Sequence, residues 1–243
     1  MEVKSIGVTD IGKVRKENQD EILCNEDLSV FAVSDGMGGL LCGKQAAKMS
    51  CNYLELFLQT IYWDDMDVEE AETAVKETVE KVSTMIQKSG NEGARVEYYG
   101  ATLTGILLHK EHAIVFNVGD SRGYLLRVGE NMKQLTKDDN LYELLSEDPE
   151  FVITKEEAKR YQNQLTQFMG MNVGIVPAVN SIKIQSGDKF LICSDGLTKM
   201  LTEEEIQKQL NLQQTLEEQA EALVDAANEA GGRDNISVVL VEV

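Results

Sequence analysis

Short apolar runs rich in β-branched residues alternate with amphipathic stretches along the whole chain. The runs have the length and composition of β-strands, and they cover residues 3–8, 21–24, 29–34, 101–108, 113–118, 123–128, 178–184, 189–194 and 236–243. Apolar residues recur at helical spacing in the other segments, at residues 42–59, 67–89, 141–145, 155–167, 202–209 and 215–230. The pattern therefore predicts a protein built from both strands and helices.

The order of these elements favours antiparallel sheets with helices laid over them. Strands do not alternate strictly with helices, and hairpin-like strand pairs occur at about 101–128 and 178–194. With two prolines and no low-complexity tract, the chain is expected to form a single domain over residues 1–243. A polar, acidic segment at about 137–170 is the least regular part. It is either a functional insertion or a plain surface excursion.

The net charge and the cysteine content limit which binding partners and which cellular compartment are expected. A net charge of −19 disfavours direct binding to nucleic acid or to an anionic membrane surface. The N-terminus has no apolar leader, and no stretch reaches the roughly 18 apolar residues that a spanning helix needs. The four cysteines form no CxxC pair. We therefore expect a reduced cytoplasmic protein with no membrane and no nucleic-acid partner.

Five aspartates lie where predicted strands begin or end, each beside a small or polar residue. They are Asp20, Asp35, Asp120, Asp195 and Asp234. In antiparallel sheets, the end of one strand lies beside the beginning of its neighbour, so these carboxylates can share one edge. Packed together they would repel one another, and a divalent cation would remove that conflict. Hard oxygen ligands select Mg²⁺ or Mn²⁺.

An alternative is that each aspartate only forms a turn, since Asp-Gly is a common turn sequence. Arg15 lies just upstream of the first aspartate. Carboxylates together with one arginine favour metal-assisted chemistry on a phosphate.

Two other motifs for phosphate or cations are incomplete. Residues 38–45 nearly fit a phosphate-binding loop, but Gln45 stands where the Mg²⁺-binding hydroxyl should be. No Asp-x-Asp-x-Asp-Gly loop is present, which disfavours a simple Ca²⁺-binding module.

Six short motifs resemble, in order, those of the metal-dependent protein phosphatases, the type 2C serine/threonine phosphatases of the bacterial sort. They span nearly the whole chain and lie at residues 15–20, 35–39, 100–102, 117–122, 194–197 and 232–237. The resemblance implies an α+β fold, a four-layer α-β-β-α sandwich of two mainly antiparallel sheets flanked by helices. It also implies two Mn²⁺ or Mg²⁺ ions at one end, and it makes the segment at about 137–170 a flap beside them.

The same resemblance assigns the site residues. The catalytic residues that it implies are Arg15, Asp20, Asp35, Asp195 and Asp234. The four aspartates and the backbone carbonyl of Gly36 are the implied metal ligands, and Arg15 is implied to bind the substrate phosphate. Asp120 is the implied ligand of a third, weaker metal site.

The implied reaction is hydrolysis of phosphoserine and phosphothreonine in phosphoproteins. A hydroxide that bridges the two metals attacks phosphorus, while the Arg15 guanidinium holds two phosphoryl oxygens. The implied partners are phosphoprotein substrates and an opposing serine/threonine kinase, and the chain is expected to act as a monomer.

One departure from the family pattern concerns the third metal. Lys199 stands four residues after Asp195, where many members carry an aspartate. A cation there repels a metal ion, or replaces its charge by pairing with Asp120, so a well-occupied third site is not expected. This change keeps open an alternative function, a phosphatase-like regulatory protein that binds phosphoprotein with little turnover.

Overall fold

The computed structural model describes residues 3–38, 42–92, 99–148 and 150–243. Gly39 of the motif at 35–39, and part of the incomplete loop motif at 38–45, lie outside these ranges. The strands are β1 (Lys4–Asp10), β2 (Asp20–Asn25), β3 (Val30–Met37), β4 (Gly100–Ala101), β5 (Leu103–His109), β6 (His112–Val118), β7 (Arg122–Leu126), β8 (Lys133–Gln134), β9 (Ala178–Lys183), β10 (Lys189–Cys193) and β11 (Ile236–Glu242). The helices are α1 (Cys42–Leu58), α2 (Val68–Glu92), α3 (Leu141–Ser146), α4 (Lys155–Tyr161), α5 (Asp195–Thr198), α6 (Glu203–Leu210) and α7 (Leu216–Glu229).

The strands pair antiparallel in two sheets. The first sheet has the order β1-β11-β10-β7-β8, and the second has the order β2-β3-β5-β6-β9, with β4 beside β3. Consecutive strands β5 and β6 form a tight hairpin in which His109 pairs with His112. Long connections bring β11, the last strand, between β1 and β10. The first sheet is therefore completed only when the end of the chain has folded back.

Side chains of the central strands alternate between two cores. Along β3, Phe31 and Val33 join the core between the sheets, whereas Val30 and Ala32 pack with α1 and α2. β11 alternates in the same way, between the intersheet core and α6 and α7. Because both faces are covered, these strands read as continuous apolar runs.

The layers follow as helices, sheet, sheet, helices. α1 and α2 cover the second sheet, and α5, α6 and α7 cover the first. This is the expected α-β-β-α sandwich, and the fold class is confirmed. No helix in the described ranges combines the length and the low polarity needed to cross a lipid bilayer.

Three helices begin at the same kind of N-terminal box. A threonine side chain accepts a hydrogen bond from the backbone N–H three residues on, and the glutamate there accepts one from the threonine backbone. The pairs are Thr154 with Glu157, Thr202 with Glu205, and Thr215 with Glu218. Each box satisfies N–H groups that have no partner inside the helix, which fixes where α4, α6 and α7 start.

Two of the predicted boundaries that differ from the structure have a clear physical cause. The helix predicted over 155–167 ends at Tyr161, because the backbone beyond it pairs with the start of the insertion: Leu141 N donates to Gln164 O at 2.8 Å, and Thr166 N donates to Asp139 O at 2.8 Å. The strand predicted to end at residue 34 continues to Met37. Tertiary pairing overrode local periodicity in the first case, and pairing with β4 extended the strand in the second.

The irregular segment at about 137–170 is held at both ends by the second sheet. Near its start, Asp139 N donates to Gly119 O at 2.9 Å and Asp139 Oδ2 accepts from Gly119 N at 2.9 Å. Near its end, Met169 N donates to Ala101 O at 2.8 Å. Between these two anchors lie α3 and α4.

Close backbone packing at α5 gives a test of the fold. A Cβ added at Gly196 would lie 1.9 Å from Asn235 O, whereas one added at Gly123 would make ordinary contacts at 3.4 Å and beyond. We expect Gly196→Ala to lower the free energy of unfolding by roughly 1–3 kcal/mol, the usual cost of overpacking. Urea unfolding measures this. Gly123→Ala is the control, and a Gly196→Ala protein that is no less stable than it would contradict the close approach.

Candidate active site

Asp20 and Asp35 face each other on neighbouring strands. Asp20 is the first residue of β2 and pairs in register with Asp35 of β3. The buried Asp20 carboxylate accepts two hydrogen bonds at Oδ2, from Ser194 Oγ at 2.8 Å and from Ser237 Oγ at 2.7 Å. Ser194 follows β10 and Ser237 lies in β11. Asp20 therefore joins the two sheets at this end of the sandwich.

The backbone of Asp35 is held by Thr102, through one contact with its side-chain hydroxyl and one with its backbone N–H. Its N–H donates to Thr102 Oγ1 at 2.9 Å, and its carbonyl accepts from Thr102 N at 2.8 Å. Asp35 lies inside β3, whereas the sequence pattern had predicted that it follows the end of the strand. A strand conformation held from both sides fixes the direction in which the partly buried side chain leaves the backbone.

Gly36 occupies a position that only glycine fits. A Cβ there would lie 2.2 Å from Gly43 O in the first turn of α1, and 2.6 Å from Gln19 O. The end of β3, the residue before β2 and the start of α1 are thus in direct backbone contact. The carbonyl of Gly36, a predicted ligand, lies at this junction, since a Cβ at Gly43 would approach it to 2.7 Å.

Asp195 and Asp234 each have a basic side chain as partner. Asp195 begins α5, and Lys199 Nζ donates to its Oδ2 from one turn further on. Arg15 Nη2 donates to Asp234 Oδ2 at 2.6 Å. The Lys199 pair is the more enclosed, because the Asp195 side chain is 10% exposed and that of Asp234 is 25% exposed.

Asn235 holds the loop that carries Arg15. Its Oδ1 accepts from the N–H of Gln19 at 2.9 Å, and its Nδ2 donates to the carbonyls of Ile11 at 2.9 Å and Glu17 at 3.0 Å. One amide group therefore spans both ends of the loop. This fixes Arg15 beside the start of β11.

Asp120 follows β6 and lies in the same cleft as Asp195 and Lys199. Burial raises the pKa of Asp120 to about 7; the Asp195 carboxylate adds to this effect and the Lys199 ammonium opposes it. The neighbouring Arg122 is engaged elsewhere, since its guanidinium donates to both oxygens of Asp138 at 2.8 Å each. Lys199 is therefore the cation that acts on Asp120.

Asp20, Asp35 and Asp195 resist ionisation, because the pKa of each is raised. Burial and then repulsion by Asp195 raise the pKa of Asp20 to about 6, against the lowering effect of its two serine donors. The pKa of Asp35 lies well above its ordinary value, first because of burial and then because Asp20, Asp195 and other carboxylates repel it. Burial also raises the pKa of Asp195, and Lys199 offsets this in part. A bound cation would relieve all of these conflicts together.

Two buried oxygens support a metal site more directly. Asp20 Oδ1 and Asp195 Oδ1 accept no hydrogen bond from any described residue. Leaving a buried carboxylate oxygen without a partner is costly, and a hard divalent cation satisfies it. The residues present therefore fit the expected Mn²⁺ or Mg²⁺.

Within the described ranges, no three acidic, histidine or cysteine side chains lie close enough together to hold an ion by themselves. Mg²⁺-like cations do not require such a cage. They keep several waters and take only one or two carboxylates each. A dispersed set of aspartates with a backbone carbonyl among them is consistent with this mode of binding.

A cleft of about 610 Å³ opens beside these carboxylates. Asp195 and Asp234 line it from the sheet ends, and Lys159 and Asn163 line it from α4 and the residues after it. The insertion is therefore part of the cleft wall and not a remote excursion.

Comparison with known proteins decides the family. The family model described as "Protein phosphatase 2C" matches residues 13–238. The chain belongs to the protein phosphatase 2C family.

Relatives and solved structures agree with this. The chain is similar to the serine/threonine phosphatase Stp of Listeria innocua, with 34% identity over 96% of this chain and 93% of that protein. It is also similar to the solved serine/threonine phosphatase of S. agalactiae, with a TM-score of 0.89, 29% identity and complete coverage of both chains. A third similarity is to the catalytic domain of PstP in complex with two manganese ions, with a TM-score of 0.85, 29% identity and coverage of 99% and 97%. The family resemblance noted in the sequence is confirmed.

For this protein phosphatase 2C chain, the structure brings the predicted residues to one end of the sandwich. Asp20, Asp120, Asp195 and Asp234 all act electrostatically on Asp35, and Arg15 reaches Asp234. Their roles as ligands and as the phosphate-binding group stay predictions.

The sequence pattern gave no role to the polar residues that hold the aspartates and the Arg15 loop in place. They are Thr102, Ser194, Asn235 and Ser237. Each lies in one of the quoted motifs, and Ser194, Asn235 and Ser237 lie within three residues of an aspartate. That adjacency was the available signal, but which residue bonds to which depends on the packing of the two sheets.

The raised pKa of Asp120 predicts how stability depends on pH in the metal-free protein. The folded-state pKa of about 7 exceeds the ordinary value of 3.8. Between roughly pH 4 and 7 the folded chain therefore holds a proton that the unfolded chain has released, and stability falls as pH rises through that window. With chelator present, we expect Asp120→Asn to melt at a higher temperature than wild type near neutral pH and to show a shallower dependence.

Thermal melts at several pH values measure this effect. Asp65→Asn changes an exposed aspartate and is expected to follow the wild-type curve. If Asp120→Asn shows the same pH dependence as wild type, the charge conflict at Asp120 is not what sets the slope.

Proposed function

We propose that this chain hydrolyses phosphoserine and phosphothreonine in proteins, using two bound Mn²⁺ or Mg²⁺ ions. The observation that carries the proposal is the set of buried, mutually repelling carboxylates next to a half-exposed arginine, with oxygens on Asp20 and Asp195 that have no partner among the described residues. The sequence prediction of a metal-dependent phosphoprotein phosphatase is confirmed at the level of the family and its named relatives. The assignment of individual residues is our own.

Asp20, Asp35, Asp195 and Asp234, with the carbonyl of Gly36, would hold the two cations. When bound, these cations neutralise the phosphate and lower the pKa of a water enough for it to attack phosphorus near neutral pH. The contribution of the chain is to hold its carboxylates in place, and it does so through the serine donors to Asp20 and the Thr102 contacts of Asp35. Most of the catalytic effect then comes from positioning and charge neutralisation.

Arg15 binds the substrate phosphate in this proposal. Its side chain is 51% exposed, and its present partner Asp234 is one of the proposed ligands. A guanidinium holds two phosphoryl oxygens at once in a planar fork, which an ammonium does not. The hydrogen bonds of Asn235 hold the loop that carries Arg15 beside the site. Arg15 can therefore exchange its partner Asp234 for the substrate phosphate by moving its side chain alone.

Lys199 takes the place of a third metal ion. Its ammonium contacts Asp195; although burial alone would lower its pKa, the carboxylates of Asp195, Asp120 and Asp35 raise it above its ordinary value. Lys199 thus stays charged between the two carboxylates that would otherwise bind a further cation. Asp120 is then a partner of Lys199 and not a metal ligand in the wild-type protein.

The same contact favours one alternative. An ammonium on Asp195 competes with a metal for that carboxylate, which would make the chain a phosphoprotein-binding regulator with little turnover. Turnover measured with a phosphopeptide separates the two functions.

We further propose the setting in which the enzyme works. Residues 1–243 act as one catalytic domain, as a monomer, on phosphoproteins that a serine/threonine kinase has modified. All four cysteines are free, as in a reducing compartment, which supports a role in cytoplasmic signalling.

Loss of one proposed ligand tests the function. Asp35→Asn should lower kcat on a phosphothreonine peptide by roughly hundredfold or more, the scale of losing one charge-stabilising group, while the protein stays folded. Assays with Mn²⁺ and with chelator, alongside circular dichroism, measure this. Asp225→Asn, on the exposed face of α7, is the matched control. Wild-type turnover in the Asp35→Asn protein would refute the site, and a slow wild-type enzyme would support the regulator.

Exchange of Lys199 tests its role as a fixed cation. Lys199→Asp removes the ammonium from Asp195 and adds a carboxylate, so we expect one more Mn²⁺ to bind than in wild type. Titration calorimetry gives the stoichiometry without any assay of activity. Lys208→Asp, on α6, makes the same charge change at an exposed position. Equal stoichiometry and affinity in Lys199→Asp and wild type would contradict this account.

A further inference from the structure

The cleft beside the carboxylates is larger than a phosphate group needs. Its volume of about 610 Å³ is within the range of roughly 300–1,000 Å³ in which ligand pockets commonly lie. It extends from Asp195 and Asp234 to Lys159 in α4 and to Arg233 in the loop before β11. A phosphorylated side chain bound at the proposed metal site would therefore leave room in the cleft for neighbouring residues of the substrate.

Most charges in this cleft are already paired. Arg122 binds Asp138 through two hydrogen bonds, Lys199 binds Asp195, and Asp234 has Arg15. These pairs include every acidic group that lines the cleft except Asp120. The Lys199 ammonium acts on Asp120 by lowering its pKa, against the raising effect of burial. Any remaining cation is available to a ligand.

Two cations of the cleft do remain. The side chains of Lys159 and Arg233 are exposed and form no ion pair or hydrogen bond with any described residue. The chain has 42 acidic and 23 basic residues, so carboxylates for pairing are abundant elsewhere. Unpaired cations from two separate segments, lining one cleft, are what an anionic ligand needs.

The backbone gives Arg233 a defined position. It follows Gly231 and Gly232, whose φ angles of 138° and 51° are in the left-handed region, and Gly232 O accepts from Lys13 N at 2.7 Å. Arg233 also directly precedes Asp234. The Cα atoms of Arg233 and Asp234 are thus one peptide unit apart, and the Arg233 guanidinium offers a planar fork for a carboxylate or a phosphate.

Lys159 approaches from the insertion. It lies in α4, whose start is fixed by the Thr154–Glu157 box, and Gln162 and Asn163 at the end of that helix add amide groups to the wall. An ammonium on a helix and a guanidinium on a loop would hold an anion from two segments of the fold.

We propose that Lys159 and Arg233 form a subsite for an acidic residue beside the phosphorylated one, so that the enzyme prefers acidic phosphopeptides. This inference rests on the proposed phosphatase function and adds its substrate class. The net charge of −19 repels such a peptide at long range, so the preference arises from short-range contacts inside the cleft.

Matched peptides test the subsite. One phosphothreonine peptide carries aspartate and glutamate on both sides of the phosphothreonine, and the other carries asparagine and glutamine at the same positions. We expect wild type to show a kcat/KM about fivefold higher on the acidic peptide, mainly through KM, which is the scale of exposed ion pairs. The readout is the ratio of kcat/KM on the acidic peptide to kcat/KM on the neutral peptide. An error in the enzyme concentration cancels in this ratio.

Variants locate the preference. Lys159→Gln and Arg233→Gln should each lower the ratio, and the double variant should bring it close to one. Lys208→Gln, which removes an exposed lysine of α6, should keep the wild-type ratio. A wild-type ratio of one, or a double variant that keeps the wild-type ratio, would overturn the subsite while leaving the phosphatase function intact. Failure to hydrolyse either peptide with Mn²⁺ would instead overturn the proposed function.

Discussion

Buried negative charge at one end of the sandwich is the constraint on which the rest of the site depends. Carboxylates that repel one another persist in a fold only where neighbouring groups hold them in place. Asp20 is held by serines from the opposite sheet, Asp35 by Thr102, and Asp195 and Asp234 by basic side chains. The remaining conflict, seen in the raised pKa values, is what favours binding of divalent cations.

The same constraint links the two sheets. Asp20 begins a strand of the second sheet, but its hydrogen-bond donors belong to the first. The core between the sheets is apolar, and hydrophobic contacts have no preferred direction. The polar contacts at Asp20 are directional, so they fix how the two sheets are aligned where the chemistry occurs.

Much of the fold could be predicted from the sequence, because strands buried on both faces are continuous apolar runs and helices show a clear period. β3 and β11 illustrate this, with adjacent residues that serve different cores. The predicted end of the helix over 155–167 was wrong, because Gln164 and Thr166 pair with the backbone at Leu141 and Asp139, which periodicity does not reveal. Aspartates at the ends of strands pointed to the candidate site, but the hydrogen bonds of Asn235 join residues more than 200 positions apart along the chain, which no local pattern reveals.

The anchoring of the insertion has a consequence for how proteins of this architecture diversify. Asp139 is bonded to Gly119 and Met169 to Ala101, so both attachment points lie on the sheet that carries Asp35. The segment between them lines the cleft through side chains such as Lys159, yet it carries none of the predicted metal ligands. The stretch from α3 to α4 can therefore change in sequence independently of those ligands. Its replacement by another sequence of suitable span would change the cleft wall while the predicted metal ligands kept their positions.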